Sequence, residues 1–247
     1  MSDTHVRRTV VKHVVPSNYL EAGERSVRFY LPPGYQEWLS YPVVYCQDGE
    51  DFFNFGRIAT ISHSLILEES WEPFIIAAVD VDKSVRTEEY LTGSARHEAY
   101  LQFWSEELVP FVEKTFAARA TTDARLLAGD SLGATVSLSI ALRRPDLFTR
   151  ILSLSGAYYG ASIAELKVAG DLSGLSLWMT VGLQETAYET ERGTHNFVEL
   201  NRAAKRILES KGAYVDYREK DGEHKWGFWQ KELPEALGAF LGPNAHM

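Results

Sequence analysis

Short apolar stretches alternate with longer segments of helical periodicity along most of this chain, and that alternation restricts the folds that it can adopt. Six stretches have the length and composition of strands: 42–47, 73–79, 124–129, 150–156, 175–182 and 213–219. Continuously apolar strands separated by helices are typical of a mostly parallel sheet with helices on both faces. The sequence therefore predicts an α/β fold.

Two more strands, 9–15 and 26–31, precede these six; both are rich in β-branched or aromatic residues, and each is followed by a proline. They predict an antiparallel start to a sheet of about eight strands. Helices are expected in five places: up to about residue 69, near 98–117, at 132–143, at about 192–211 and at 226–240. In the fourth of these, apolar residues recur at three- and four-residue steps and form one face.

Composition narrows the class of protein. With 247 residues, 45% of them hydrophobic, the chain can bury one sizeable core, so we predict a single domain over 1–247. A formal net charge of −9 disfavours nucleic acid and anionic membranes as partners. Residues 1–15 lack the apolar stretch of a signal peptide, which favours a cytoplasmic protein. Cys46 is expected to be a buried structural thiol. The oligomeric state stays open, a homo-oligomer included.

The stretch "LLAGDSLGATVS" (126–137) contains two signatures of serine hydrolases that belong to different folds. Gly-Asp-Ser-Leu names one hydrolase family, whereas Gly129-x-Ser131-x-Gly133 matches the nucleophile elbow of the α/β-hydrolases. In the first family the serine ends the first strand, but about five predicted strands precede Ser131. A predicted strand before the motif and a helix after it fit the elbow. We therefore predict an α/β-hydrolase with Ser131 as nucleophile.

A serine hydroxyl is a poor nucleophile until a base removes its proton, so a histidine must reach it. The elbow fold has the chain order serine, acid, histidine, which leaves His195, His224 and His246. His224 lies in a glycine-containing loop between a predicted strand and a helix, so its ring can project over the edge of the sheet. His195, at the start of a predicted helix, is expected at the surface. His224 is the predicted base.

The imidazole needs a carboxylate that fixes its tautomer and stabilises its charged form. The preferred place is the loop after "LSLWMTVG" (175–182), where Glu185 is the first acid. Glu189 and Glu191 follow in the same loop, and Asp221 stands three residues before the predicted base. Glu185 is the predicted acid, and the other three remain open.

Oxyanion stabilisation requires two backbone N–H groups directed at one point. One comes from the residue after the nucleophile, Leu132, and the other from the loop after the third strand, "QDGEDFF" (47–53). Gly49 lets that backbone come close, and the amide of Glu50 is the predicted second donor.

Five blocks of the chain resemble the esterase family that includes the enterochelin, bacillibactin, feruloyl and acetyl-xylan esterases, S-formylglutathione hydrolase and the mycolyl transferases. The blocks are "YPVVYCQDGEDFF" (41–53), "RTEEY" (86–90), "GDSLGATVSLSIALRRPDLF" (129–148), "VGLQE" (181–185) and "GEHKWGFWQKELPEAL" (222–237). They span most of the chain in the family's order. The resemblance implies an oxyanion amide at Glu50, the nucleophile at Ser131, the acid at Glu185 and the base at His224. Relatives often have glycine immediately before that histidine, where this chain has Glu223.

The substrate site is expected to be an open cleft. Too few residues separate 150–156 from 175–182 for a lid domain, and such a cleft suits bulky acyl or aryl groups. Four aromatic residues are predicted to line a face for an aromatic substrate: Tyr158, Tyr159, Trp226 and Trp229. Arg57, near the oxyanion loop, is predicted to meet an anionic acyl or catechol group, with an ion pair to one of the nearby acids as the alternative.

Together these features predict a serine carboxylic-ester hydrolase that acts on a small-molecule ester through an acyl-enzyme. No metal or cofactor is expected, because no histidine and acid cluster shows ligand spacing. Hydrolysis of a siderophore trilactone and acyl transfer to a sugar hydroxyl are the alternatives within the enzyme class. A non-catalytic binding module would be expected to lose Ser131 or His224, and both are present.

Overall fold

A computed structural model describes residues 8–247. Its strands are β1 (Thr9–Pro16), β2 (Glu24–Leu31), β3 (Val43–Cys46), β4 (Ile75–Val79), β5 (Arg125–Asp130), β6 (Arg150–Leu154), β7 (Ser176–Gly182), β8 (Tyr188–Thr190), β9 (Gly193–His195) and β10 (Tyr214–Lys220). Eight strands of the described residues form one sheet in the order β1-β2-β4-β3-β5-β6-β7-β10. The pairs β1–β2 and β2–β4 are antiparallel, and the other neighbours are parallel. The predicted sheet of about eight strands, mostly parallel with an antiparallel start, is confirmed.

The helices cover both faces of this sheet. They are α1 (Gly49–Asn54), α2 (Ile58–Glu68), α3 (Arg86–Tyr90), α4 (His97–Gln102), α5 (Val109–Thr115), α6 (Leu132–Arg143), α7 (Gly160–Val168), α8 (Phe197–Ser210) and α9 (Trp226–Leu241). Successive strand residues point to opposite faces. Accordingly, Val43 and Tyr45 pack in one apolar core with α6 and α8, while Val44 and Cys46 pack in another with α2 and α9. Cys46 is a buried free thiol, as predicted.

The predicted helix near 98–117 is divided into three parts. A π-helical segment (Phe103–Leu108) joins α4 to α5, and Pro110 stands in the first turn of α5. Proline has no N–H to donate to the preceding turn, so a regular α-helical ladder cannot continue through this position. Among residues 8–247, none of the helices combines the length and the apolarity that a bilayer span requires.

The segment between β7 and α8 differs most from the sequence prediction. β8 and β9 form an antiparallel hairpin that is not part of the main sheet. The helix predicted to begin near residue 192 begins at Phe197, because the side chain of Asn196 accepts a hydrogen bond from the Glu199 N–H and caps it. His195 therefore lies in β9 and not at the start of a helix, and it is half-buried beside Tyr159.

Candidate active site

Ser131 lies at the sharp turn between β5 and α6, at the carboxyl end of a central strand. Its φ of 52° and ψ of −121° place a residue with a side chain in a region that favours glycine. The turn is possible because β5 and α6 approach closely: a Cβ atom on Gly129 would lie 2.2 Å from the carbonyl carbon of Gly133. The local sequence therefore builds the strand, strained turn and helix of a nucleophile elbow.

His224 lies in the loop between β10 and α9, and its ring reaches the elbow. Its Nε2 atom is 3.0 Å from the Oγ atom of Ser131, and its Nδ1 atom is 2.7 Å from the Oε2 atom of Glu185. Glu185 follows β7, in the loop that also carries β8. The carboxyl ends of parallel strands meet at one edge of a sheet, which explains how three residues far apart in the sequence come together.

The carboxyl group of Glu185 is almost inaccessible, with only 1% of the residue exposed. Its Oε1 atom accepts a hydrogen bond of 2.7 Å from the N–H of Gly182 at the end of β7. A buried carboxylate is stable only when donors surround it, and here backbone and imidazole both contribute. When Nδ1 of His224 donates to Glu185, Nε2 is left free to accept a proton from Ser131.

The other acids considered as partners of the imidazole lie elsewhere. Glu189 is exposed in β8, and Glu191 is exposed in the turn of the hairpin, where it lines the cleft. Asp221 is exposed and accepts a hydrogen bond of 2.7 Å from the side-chain amide of Gln184. Of the four acids, Glu185 is the one that lies within hydrogen-bonding distance of His224.

Ser131 opens into a cleft with a volume of about 530 Å³. Four aromatic rings line one part of it: Tyr159, Tyr188, Trp226 and Trp229. Four cationic side chains, Lys83, Arg86, Arg192 and Lys225, also line it, together with three acidic ones, Asp51, Asp130 and Glu191. The cleft thus presents aromatic rings and a mixed set of charges beside Ser131.

The predicted substrate-binding residues divide between this cleft and other places. Trp226 and Trp229 line it. Tyr158 is fully buried in the core, with its hydroxyl 2.7 Å from the Oγ of Ser153, and it is the next residue, Tyr159, that lines the cleft. Arg57 is exposed at the start of α2 and is not part of the lining, which takes its cations from other segments.

The predicted oxyanion donors lie after two neighbouring strands of the sheet, Leu132 after β5 and Glu50 after β3. Leu132 is the first residue of α6 and lines the cleft, so its amide adjoins Ser131. Glu50 lies in the first turn of α1, where amides have no acceptor within the helix, and its side chain points away toward Arg28 at 3.4 Å. A Cβ atom on Gly49 would lie 2.5 Å from the Ala78 carbonyl oxygen, so only glycine permits this path of the loop.

Asp48, the residue before this loop's glycine, is held by both ends of α3. Its carboxylate accepts two hydrogen bonds from the guanidinium of Arg86, at 2.6 and 2.8 Å, and its N–H donates to the hydroxyl of Tyr90 at 3.2 Å. Asp48 also has a left-handed conformation, with φ of 47°. In the sequence, the segment "RTEEY" stands out only through the family resemblance, and no local pattern indicates its contact with Asp48.

Asp130 stands next to Ser131 and is buried, with 6% exposed. Burial, and secondly the charge of Asp48, raise the pKa of Asp130 to about 8, against the lowering effect of Arg86. Its Oδ1 atom has no hydrogen-bond partner among the residues that the structure describes. In those same residues, no group of three or more histidine, cysteine or acidic side chains is arranged to hold a metal ion.

Comparison with known proteins gives this geometry a context. The profile of the Esterase family, described as "Putative esterase", matches residues 17–240. The protein YjcH of Bacillus subtilis (strain 168) is 35% identical over 221 residues, which are 88% of this chain and 92% of that protein. A ferulic acid esterase of known structure superimposes with a TM-score of 0.79 at 17% identity, covering 94% of this chain and 97% of the other.

A second solved structure, the enterobactin esterase of Shigella flexneri, superimposes with a TM-score of 0.78 at 21% identity, covering 92% of this chain and 58% of that one. At such identities these two likenesses establish the fold, while the family profile covers most of the chain. The chain therefore belongs to the "Putative esterase" family and is a carboxylic-ester hydrolase with the α/β-hydrolase fold.

Proposed function

We propose that the protein is a serine esterase that acts through an acyl-enzyme, with Ser131 as nucleophile, His224 as general base and Glu185 as the acid that orients it. The observation that carries this proposal is the unbroken contact from the Ser131 hydroxyl through the imidazole to a buried carboxylate, at 3.0 and 2.7 Å. These are hydrogen-bonding distances, and the strained turn at the serine is of the kind that functional sites retain.

The reaction then has two balanced halves. Ser131 Oγ attacks the ester carbonyl carbon while Nε2 of His224 accepts its proton, and the carbonyl oxygen becomes an oxyanion facing the amides of Leu132 and Glu50. Collapse of this intermediate breaks the bond to the alcohol, which leaves with the proton from His224. Water then attacks the carbonyl carbon of the acyl-enzyme and gives a proton to His224. The bond between that carbon and Ser131 Oγ breaks, His224 returns the proton to Oγ, and the carboxylic acid leaves.

For the substrate we propose an ester of an aromatic acid. Trp226 and Trp229 lie perpendicular to each other, with ring centroids 5.4 Å apart, and both line the cleft beside Ser131. Faces and edges of indole rings bind planar aryl groups well. The likeness to a ferulic acid esterase supports the same class of acyl group.

A second candidate, hydrolysis of a catecholate trilactone, is supported by a different observation. Lys83, Arg192 and Lys225 line the cleft, and cationic side chains beside the site favour a substrate with several anionic or phenolic oxygens. One structural neighbour is an enterobactin esterase, although this chain covers only 58% of it.

The test compares wild type with Ser131→Ala, and uses Ser210→Ala, at the exposed end of α8, as matched control. We expect wild type and control to hydrolyse p-nitrophenyl acetate and to be labelled by a fluorophosphonate probe. Ser131→Ala should lose labelling, and its kcat should fall about 10⁴-fold or more. Methyl ferulate and a catecholate trilactone, assayed in parallel, rank the two substrate classes by kcat/KM. Equal rates and labelling for wild type and Ser131→Ala would refute the proposal.

A further inference from the structure

The side of Glu185 that faces away from His224 is occupied by a serine. Ser155 is the first residue after β6, it is fully buried, and its hydroxyl donates to Glu185 Oε1 at 2.7 Å. Its φ of 48° is in the left-handed region, which a serine rarely adopts without a compensating interaction. Its N–H donates to the carbonyl of Thr180 at 2.7 Å, which holds this backbone against β7.

Ser155 is itself a hydrogen-bond acceptor for a tryptophan of α9. The indole Nε1–H of Trp229 donates to Ser155 Oγ at 2.8 Å. An indole N–H is only ever a donor, so the serine oxygen must accept here, and its own proton is therefore directed at Glu185. The direction of both hydrogen bonds is fixed by chemistry and not by a choice of rotamer.

The donors and acceptors are fixed in the same way from Glu185 through His224 to Ser131. Because Oε1 of Glu185 accepts hydrogen bonds from Ser155 and Gly182, its Oε2 is left as the acceptor for Nδ1–H of His224. A proton on Nδ1 leaves Nε2 as the acceptor for the hydroxyl of Ser131. Each donor in this series has one acceptor open to it.

We propose that Ser155 and Trp229 are positioning residues for the acid and the base of the proposed triad: they hold Glu185 in one orientation and thereby fix the tautomer of His224. This inference rests on the proposed function. It gives Trp229 a role beyond lining the cleft, and it accounts for the left-handed conformation of Ser155. The ring of Trp229 also meets His224 edge to face, with centroids 4.9 Å apart, so one side chain contacts both His224 and the serine that binds Glu185.

Two variants remove the hydrogen bonds while keeping the local shape. Ser155→Gly suits a positive φ, so the backbone is not strained by the loss of the hydroxyl. Trp229→Phe keeps an aromatic ring against His224 and removes only the N–H and part of the ring. Trp178→Phe is the matched control, because Trp178 is equally buried in β7 and its indole nitrogen has no hydrogen-bond partner among the described residues.

We expect Ser155→Gly to lower kcat on p-nitrophenyl butyrate about tenfold, as for the loss of a buried hydrogen-bond donor. Its KM should change less than about twofold. Trp229→Phe should lower kcat by a smaller factor than Ser155→Gly. Trp178→Phe should leave both constants near wild type. Because Trp229 acts through Ser155, the double variant should be no slower than Ser155→Gly alone. The low-field proton resonance of the His224–Glu185 hydrogen bond should move in both test variants and stay in place in the control.

The outcomes separate the two proposals. A wild-type protein without esterase activity or fluorophosphonate labelling would refute the proposed function. An active, labelled wild type whose Ser155→Gly variant retains its kcat and its low-field resonance would overturn this inference alone. Additive losses in the double variant would overturn the ordering of Trp229 behind Ser155. If Trp229→Phe does not fold, Ser155→Gly decides by itself, with its thermal midpoint as the check of folding.

Discussion

At the scale of single residues, what distinguishes Glu185 from the other acids near His224 is its burial and its set of donors. An exposed carboxylate interacts with an imidazole only weakly through water, whereas a buried and fully hydrogen-bonded one keeps its charge and orientation. Asp221 has the more suggestive position in the sequence, three residues before the histidine. The structure gives it a different role, as acceptor for Gln184 on the surface.

The identity of the acid is testable with a matched pair of amide substitutions. Glu185→Gln replaces the acceptor facing Nδ1 of His224 with an amide that stabilises the wrong tautomer, so kcat should fall about 10³- to 10⁴-fold. Asp221→Asn should change kcat less than about twofold, because that side chain is exposed and lies outside the contact. Steady-state rates on p-nitrophenyl acetate measure both. A large loss in Asp221→Asn with a small one in Glu185→Gln would reassign the acid.

At the scale of elements, α3 is short but holds the loop that carries the proposed oxyanion amide. Its first residue, Arg86, binds the carboxylate of Asp48, and its last, Tyr90, binds the backbone N–H of the same residue. The side chain of Asp48 is only 3% exposed, so the guanidinium is its partner in place of water. A five-residue helix thus sets the path of a neighbouring turn.

Removing the cation tests this dependence. Arg86→Met leaves the Asp48 carboxylate buried without its partner, and the free energy of unfolding should fall by about 3–5 kcal/mol. The kcat should fall as well, because the amide of Glu50 loses its fixed position. Arg206→Met, an exposed arginine on α8, is the control and should change stability by less than about 0.5 kcal/mol. Urea unfolding measures the difference, and equal midpoints for the two variants would contradict it.

The elements that the sequence predicted are those with strong periodicity or a motif. The helix after the elbow is predicted at 132–143 and lies at Leu132–Arg143, because a mostly apolar segment follows a strand and a turn flanked by glycines. The order of serine, acid and histidine along the chain led to residues that the structure brings within hydrogen-bonding distance.

The elements that were missed have little local signal. The β8–β9 hairpin has three-residue strands of mostly polar residues, so no alternation of apolar positions marks it. The cation expected at Arg57 is replaced in the cleft by residues such as Arg86 and Arg192, which come from distant segments. Likewise, nothing near Ser155 in the sequence indicates Trp229, since the hydrogen bond between them spans 74 residues. Such contacts depend on tertiary packing and not on local pattern.

At the scale of the whole molecule, the free energy of unfolding depends on pH through a few buried ionisable side chains. Asp130 is the clearest, because burial raises its pKa to about 8 while the unfolded chain gives an aspartate its ordinary value of 3.8. Between these two values the folded protein binds one more proton at this site than the unfolded chain. The contribution of Asp130 is therefore fully present below about pH 4 and is lost as the pH rises to about 8.

Asp130→Asn should flatten that dependence. Asparagine cannot ionise, so the fall in the free energy of unfolding between pH 5 and pH 8 should be smaller in the variant, by up to about 1.4 kcal/mol per pH unit. Asp146→Asn is the control: this exposed carboxylate has its pKa lowered by Arg144, so it does not titrate in that range. Urea unfolding at several pH values measures the slopes. Parallel slopes for wild type and Asp130→Asn would contradict the expectation.

The order of the strands makes the geometry of the proposed site sensitive to substitutions elsewhere in the sheet. Ser131, Ser155, Glu185 and His224 follow β5, β6, β7 and β10, which are consecutive neighbours in space. The spacing between adjacent strands, about 4.8 Å, therefore sets the distances between the backbone positions that carry these side chains. A substitution deep in the sheet that changes the stagger or twist of any one of these strands displaces one reactive group from the next, although it touches none of them.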